Sequence, residues 1–205
     1  MFKKSSKSTS PSSKAPSSST APSSSKTPPS MTPRERALAI KKTQEEALNR
    51  LPLNSLYIVL WIRSDPPQAN NFHWGYYFHT HKAGGFKYHM KNLGGGWIAD
   101  HGPTGGVFKS NFLCVLIQIG SIPQAKEAEL DQVMKSHDGD VNSIPGVTCR
   151  IWVLAILQRL AQQGLVRYSS RDALEQECMR IGNQYSAGAA RNNQPRPVVR
   201  SEVCH

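Results

Sequence analysis

Two short stretches of the 205-residue chain hold side chains that can do chemistry: FHWGYYFHTH at residues 72 to 81 and GVTCRIWVLAIL at residues 146 to 157. Cys149 stands where the second stretch becomes apolar, at the expected start of a buried helix. The partial positive charge of a helix N-terminus favours a thiolate over a thiol. With a base within hydrogen-bond reach, such a cysteine is a nucleophile for acyl transfer. Without one, it is a buried thiol that fills the core.

The histidines of the first stretch cannot all belong to one site. In a strand, His73 and His81 are separated by roughly 26 Å at ~3.3 Å per residue. No second pair of ligands has the spacing of a zinc site, so the sequence predicts neither a metal nor a cofactor. His79 and His81 flank the expected turn and are predicted to be solvated. His73 is therefore the candidate base, on a strand whose other face carries Trp74 into the core.

The other three cysteines lack the setting of Cys149. Cys114 lies inside the most apolar segment and is predicted to be a packing thiol. Cys178 falls in a helical pattern and Cys204 near the C-terminus, and neither has a basic neighbour in sequence. No CxxC pair occurs, and reduced thiols are the default for a chain without a secretory signal.

The elements that must position these residues follow from hydrophobic periodicity and turn signals. Strands are predicted at 55 to 64, at 72 to 81, just after a KAGG turn, in the GGGWIADHG segment and at 111 to 122. Helices are predicted at 31 to 51, from Pro123, from Cys149 and within SSRDALEQECMRIGNQYSAG. Five strands with helices before and after them indicate an α+β fold, an antiparallel sheet of about five strands with segregated helices.

The N-terminal segment differs in composition from the rest. Residues 1 to 31 are rich in Ser, Pro and Lys and are predicted to be a disordered tail. Residues 32 to 188 form the predicted single domain, and residues 189 to 205 a flexible C-terminal tail. The formal charge is +11, of which +6 lies in residues 1 to 34. A basic arm of this kind can contact nucleic acid or an anionic surface, or serve only to solubilise the chain.

No apolar core of a secretory signal follows the first residues, and no apolar run is long enough to span a membrane. The sequence therefore predicts an intracellular protein, in the cytoplasm or the nucleus, without a membrane span.

The stretches FHWGYYFH, GGFKYHMKNLGGGWI and GVTCRIWVLAILQRLAQQGLV resemble a fungal protein family of unknown function. That family in turn resembles the circularly permuted papain-like fold of lecithin-retinol acyltransferase-like enzymes and PPPDE isopeptidases. The resemblance covers about residues 55 to 166. It implies a histidine on a sheet strand and a cysteine at a helix N-terminus, in that chain order, which match His73 and Cys149.

The same resemblance implies a polar residue that orients the imidazole from a neighbouring strand. His89, Asp100 and His101 all compete for that role. His89 comes opposite His73 only if the hairpin loop is longer than KAGG; a tight turn is expected to separate them by several residues. Thr148, at a position where the family prefers glycine, is expected to cap the helix.

Three functions remain open from the sequence. The first is a thiol hydrolase or acyltransferase in which Cys149 attacks an acyl or amide carbonyl and His73 moves the proton, with His89 as the third catalytic residue. The second is a catalytically silent papain-like scaffold. The third is an interaction protein that binds a partner protein or nucleic acid through its basic arm.

Overall fold

A seven-stranded sheet forms the centre of the computed structural model, which describes residues 31–205. The strands are β1 (Ser55–Ile62), β2 (Phe72–His81), β3 (Gly84–Asn92), β4 (Trp97–Ala99), β5 (Gly102–Thr104), β6 (Leu113–Ser121) and β7 (Val198–Arg200). Their order is β4-β3-β2-β1-β6-β7, with β5 also paired to β3. The α+β class is confirmed. The expectation of a purely antiparallel, five-stranded sheet is wrong, because β7 runs parallel to β6.

Four helices surround this sheet: α1 (Pro33–Asn49), α2 (Glu127–Met134), α3 (Cys149–Gln162) and α4 (Arg171–Ala190). The N-caps explain where the last two begin. The Thr148 hydroxyl accepts from the Ile151 N–H at 3.1 Å, and the Ser170 hydroxyl accepts from the Ala173 N–H at 3.3 Å. Both satisfy backbone donors that a helix start otherwise leaves unpaired. No helix within residues 31–205 has the length and apolarity needed to cross a bilayer.

Side chains along β2 point alternately to the two faces of the sheet, and a separate hydrophobic cluster covers each face. Trp74, Tyr76 and Phe78 are buried together with residues of α2, α3 and α4, on what we call the helical face. Tyr77 is buried on the opposite side with Leu48 of α1, on what we call the α1 face. The period of two in β2 predicted this division.

His79 does not follow the expectation of a solvated turn residue. Its side chain is fully buried, and Tyr77 Oη lies 2.9 Å from its Nδ1. The turn itself comprises only Lys82 and Ala83, so His79 still lies inside the paired part of the hairpin. His81, next to the turn, is exposed as expected.

The C-terminal segment differs from the flexible tail expected for residues 189 to 205. Helix α4 continues to Ala190, and β7 adds a strand beside β6. Arg196 is 2 % exposed, and its guanidinium donates to the carbonyl oxygens of Ala189 and Asn111. These bonds tie the segment to both α4 and the sheet. The predicted tail of residues 1 to 31 lies, apart from Met31, outside the described residues.

Two glycines of α4 provide a test of how closely this helix packs on the sheet. A Cβ on Gly182 would lie 2.7 Å from a ring carbon of Phe72, whereas a Cβ on Gly188 would meet nothing nearer than 3.6 Å. We expect Gly182→Ala to leave the protein about 1–3 kcal/mol less stable than Gly188→Ala, since overpacking outweighs the helix propensity that both gain. Urea unfolding of the two variants measures this difference, and equal stabilities would show that the contact is looser than described.

Candidate active site

His73 of β2 and His89 of β3 are in direct contact. His73 Nε2 lies 2.9 Å from His89 Nδ1, and the two rings meet edge to face. The hairpin register pairs Gly75 with His89, so His73 and His89 are diagonal neighbours on one face of the sheet. Diagonal neighbours are within reach of long and aromatic side chains. The expectation that a tight turn would keep these histidines apart is therefore wrong.

Gly75 makes this contact possible. A Cβ at position 75 would lie 2.8 Å from His89 Cβ and 3.2 Å from a ring carbon of Trp61. With only hydrogen there, both side chains can cross the strand at Gly75. The Trp61 ring centroid is 5.5 Å from that of His73 and 6.1 Å from that of His89. The three rings form one aromatic cluster on the α1 face.

Asp100 extends the pair to a third group. Its Oδ2 is 3.0 Å from His89 Nε2, although the carboxylate lies off the direction of an N–H bond at that nitrogen. Its backbone N–H donates to the His89 carbonyl at 2.9 Å, which fixes the two residues relative to each other. Lys91 Nζ lies 3.4 Å from the other carboxylate oxygen.

The chain of contacts favours one nitrogen of His73 as a base. The Asp100 carboxylate near His89 Nε2 favours the tautomer with the proton on that nitrogen, which makes His89 Nδ1 an acceptor. His73 then donates from Nε2, and its Nδ1 keeps the lone pair. His73 is in this way oriented by one partner and left with one basic nitrogen.

Both histidines are held in the neutral form. The pKa of His73 is lowered from 6.5 to about 4, chiefly by burial and also by the positive charges of Arg63 and Lys87. Burial also lowers the pKa of His89 to about 4, assisted by Lys87 and His73, while Asp100 acts in the opposite direction. Desolvation is the dominant cause in each case.

His101 lies apart from this pair. Its Nδ1 accepts from the His89 backbone N–H at 3.2 Å, and its Nε2 lies 3.1 Å from Asp138 Oδ1. Its ring stacks against Trp152 of α3, with centroids 5.7 Å apart. His101 therefore connects the β4–β5 segment to the helices and does not contact the His73 ring.

Cys149 lies at the first position of α3 and is 2 % exposed. Burial raises the pKa of its thiol, while the backbone N–H of Trp74, the charge of Arg63 and the N–H groups of Arg150 and Cys149 lower it. Strand β3 pairs with β2 only from Gly75 onward, so β2 is open at Trp74, where the thiol lies. Cys149 thus meets the backbone of the residue that directly follows His73.

The thiol and the imidazole do not touch. Within residues 31–205, no hydrogen bond joins Cys149 Sγ to either ring nitrogen of His73. Of the three candidate residues, His73 and His89 are therefore in direct contact, whereas Cys149 contacts the backbone of Trp74, the residue after His73.

The remaining cysteines are all buried and free. Burial raises the pKa of Cys114 to about 12 and that of Cys204 to about 11, and it also raises the pKa of Cys178 well above the usual value of a thiol. None of these three lies at a helix N-terminus. Residues 31–205 contain no group of three or more His, Cys, Asp or Glu side chains that could hold a metal ion.

A protein-family model matches residues 59–167, more than half of the chain. The chain belongs to the DUF6540 family, a family of unknown function. The matched region includes His73, His89, Asp100 and Cys149, whereas α4 and β7 lie beyond it. Neither the search of curated proteins nor that of solved structures found a match. The resemblance to papain-like enzymes stays a prediction.

Three residues that shape this DUF6540 site were missed in the sequence. Trp61 lies near the end of β1 and Arg63 just after it, in a segment that the pattern marks only as apolar. Gly75 lies inside β2. A glycine inside a strand signals a close approach by a neighbouring side chain, which was the one available hint.

The lowered pKa values predict how stability depends on pH. The unfolded chain binds protons on these imidazoles near pH 6.5, whereas the folded chain binds them only near pH 4. Stability is therefore complete above pH 6.5 and is lost as the pH falls towards 4. When His73 and His89 are both replaced by Asn, the fall in the free energy of unfolding between pH 6.5 and pH 4 is expected to be about 1–2 kcal/mol smaller than in the wild type. Urea unfolding at a series of pH values measures this difference. Ring titration midpoints near 6.5 in NMR spectra of the wild type would contradict the assignment.

Proposed function

We propose that this DUF6540 protein is a thiol hydrolase or acyltransferase with a permuted papain-like arrangement, in which Cys149 is the nucleophile and His73 the base. One observation carries the proposal. The Cys149 thiol, at a helix N-terminus, lies against the backbone N–H of Trp74, the residue that follows His73 in β2, and one ring nitrogen of His73 is bonded to His89. A substrate with an acyl carbonyl, such as an amide, an isopeptide or an ester, fits this chemistry.

The direction of the pKa changes decides how the nucleophile is activated. The pKa of Cys149 is raised and that of His73 is lowered, so the resting pair is a neutral thiol and a neutral imidazole. A stable thiolate–imidazolium pair does not form in advance. The proton must therefore leave Cys149 as the sulfur attacks, with His73 Nδ1 as its acceptor.

The reaction then follows from proton balance. The sulfur forms a bond to the carbonyl carbon while His73 takes the thiol proton. Collapse of the tetrahedral intermediate breaks the bond to the amine or alcohol, which leaves with the proton from His73. Water or a second nucleophile gives its proton to His73 and attacks the thioester carbonyl. The carbon–sulfur bond then breaks, the acid or transferred acyl product leaves, and His73 returns the proton to the sulfur.

Backbone donors stabilise the charge that develops. The N–H groups of Trp74, Arg150 and Cys149 converge on the sulfur, and the charge of Arg63 acts there too. The same donors are available to the oxygen of a tetrahedral intermediate, where oxyanion stabilisation is often the largest contribution to catalysis. The helix dipole of α3 adds a favourable field.

Asp100 acts in this mechanism as a positioning residue. It lies 3.0 Å from His89 Nε2 and keeps the proton of His89 on that nitrogen. His89 Nδ1 is thereby available to accept from His73, which keeps the reactive Nδ1 of His73 unprotonated.

Alkylation by iodoacetamide at neutral pH tests the role of His73. We expect Cys149 to react faster than Cys204, which is also buried but is not at a helix N-terminus. His73→Ala is expected to slow the reaction of Cys149 by at least ~10-fold while leaving Cys204 unchanged, because only Cys149 has His73 as its base. Peptide mass spectrometry measures both rates in the same sample.

Cys204 serves as the internal control for unfolding, since a variant that opened the core would raise the reactivity of both thiols. If Cys149 reacts no faster than Cys204, and His73→Ala changes neither rate, the proposed pair does not exist.

Asp100→Asn tests the positioning role without changing the shape of the side chain. We expect it to lower the Cys149 alkylation rate several-fold and to move the pH profile of that rate, because the preferred tautomer of His89 is lost. Asp138→Asn, which removes the carboxylate beside His101, is the matched control and is expected to leave the profile in place. Identical profiles in both variants would refute the role of Asp100.

The burial of Cys149 favours a second candidate function, a scaffold on the same fold that performs no catalysis. Its thiol then only fills the space beside Trp152 and Trp74. This alternative predicts that Cys149→Ala lowers the melting temperature and that the histidine variants leave its reactivity unaffected.

A further inference from the structure

A cavity of about 380 Å³ opens on the α1 face, over the rings of His73 and His89. Its floor is formed by β1, β2 and β3, and its wall by the segment that leads from β5 to β6. Its size falls within the range of small-molecule sites. The lining residues are Trp61, Ile62, His73, Lys87, His89 and Thr104, together with Gly106, Val107, Ser110 and Phe112.

Lys87 gives this cavity an unusual charge. It is half-buried, and within the described residues its ammonium makes neither an ion pair nor a hydrogen bond. No Asp or Glu is among the lining residues. Both Lys87 and Arg63 are close enough for their charges to act on His73. Lys87 also acts on the charge of Asp100, but no carboxylate pairs with it inside the cavity, and a half-buried cation in this position favours an anionic ligand.

Apolar and aromatic side chains make up much of the rest of the lining, beside the two histidines, Thr104 and Ser110. Trp61 lies on the floor beside the two imidazoles, and Phe112 remains 59 % exposed at the wall. The methylene groups of Lys109 lie over Gly106 and narrow the wall on that side. Flat walls of this kind suit an aromatic ring, which gains contact area and edge or stacking geometry.

We propose that this cavity binds an aromatic carboxylate, with the carboxylate on Lys87 and the ring between Trp61 and Phe112. The bound molecule would lie against His73 and His89, on the opposite face of β2 from Trp74. Cys149 is not among the lining residues, so the cavity shares His73 and His89, but not the thiol, with the proposed active site.

Calorimetric titration of the full chain with naphthoate tests the proposal, with naphthalene methanol as the uncharged ligand of the same shape. We expect naphthoate to bind at least ~10-fold more tightly than the alcohol, because only the carboxylate forms a charge-assisted hydrogen bond with Lys87. Lys87→Gln is expected to weaken naphthoate binding by at least ~10-fold. Lys42→Gln, which removes the same charge from the exposed surface of α1, is expected to change nothing.

NMR spectra of the imidazoles show where the ligand binds. We expect naphthoate to shift the signals of His73 and His89. The signal of His137, which lies outside the cavity, is the control and is expected to stay in place. Cys149→Ala is expected to bind naphthoate as the wild type does, so loss of the proposed activity and loss of this site are separate results. The proposal is overturned if naphthoate does not bind, if Lys87→Gln binds as tightly as the wild type, or if the His73 and His89 signals stay in place.

Discussion

The register of the β2–β3 hairpin is the constraint on which the site depends. It pairs Gly75 with His89, and the missing side chain at Gly75 lets His89 and Trp61 cross the strand. A shift of one residue would move His89 to the other face of the sheet and end its contact with His73. A side chain at position 75 would push the rings apart even in the correct register. The hydrogen bond between the two imidazoles therefore follows from backbone pairing and one glycine.

The end of that pairing creates the second half of the site. Because β3 leaves β2 after His89 meets Gly75 and continues beside β4, the edge of β2 is open at Trp74. The N-terminus of α3 lies at this opening and directs the Cys149 thiol towards the Trp74 N–H. His73 and Cys149 thus approach one strand position from the two faces of the sheet. The pKa of Cys149 is raised and that of His73 is lowered, and both changes favour the neutral form.

Local patterns in the sequence predicted a large part of this arrangement. The alternation in FHWGYYFH separates His73 from Trp74, and Thr148 before an apolar run marks the start of α3. These features depend on residues close together in the chain, which is why they can be read from it. The contact of His73 with His89 could not be read, because a two-residue turn and the irregular pairing near His81 set the register. Strand β7 was missed for a similar reason, since its short, polar segment is held by Arg196 and by the edge of β6.

A crystal structure of the protein alkylated at Cys149 by iodoacetamide tests the central claim, that Cys149 and His73 form one site. The account predicts that His73 Nδ1 lies within ~4 Å of the Cys149 sulfur and that the amide oxygen of the adduct accepts from a backbone N–H of Trp74 or Arg150. A separation of more than ~8 Å between His73 Nδ1 and the sulfur would contradict it.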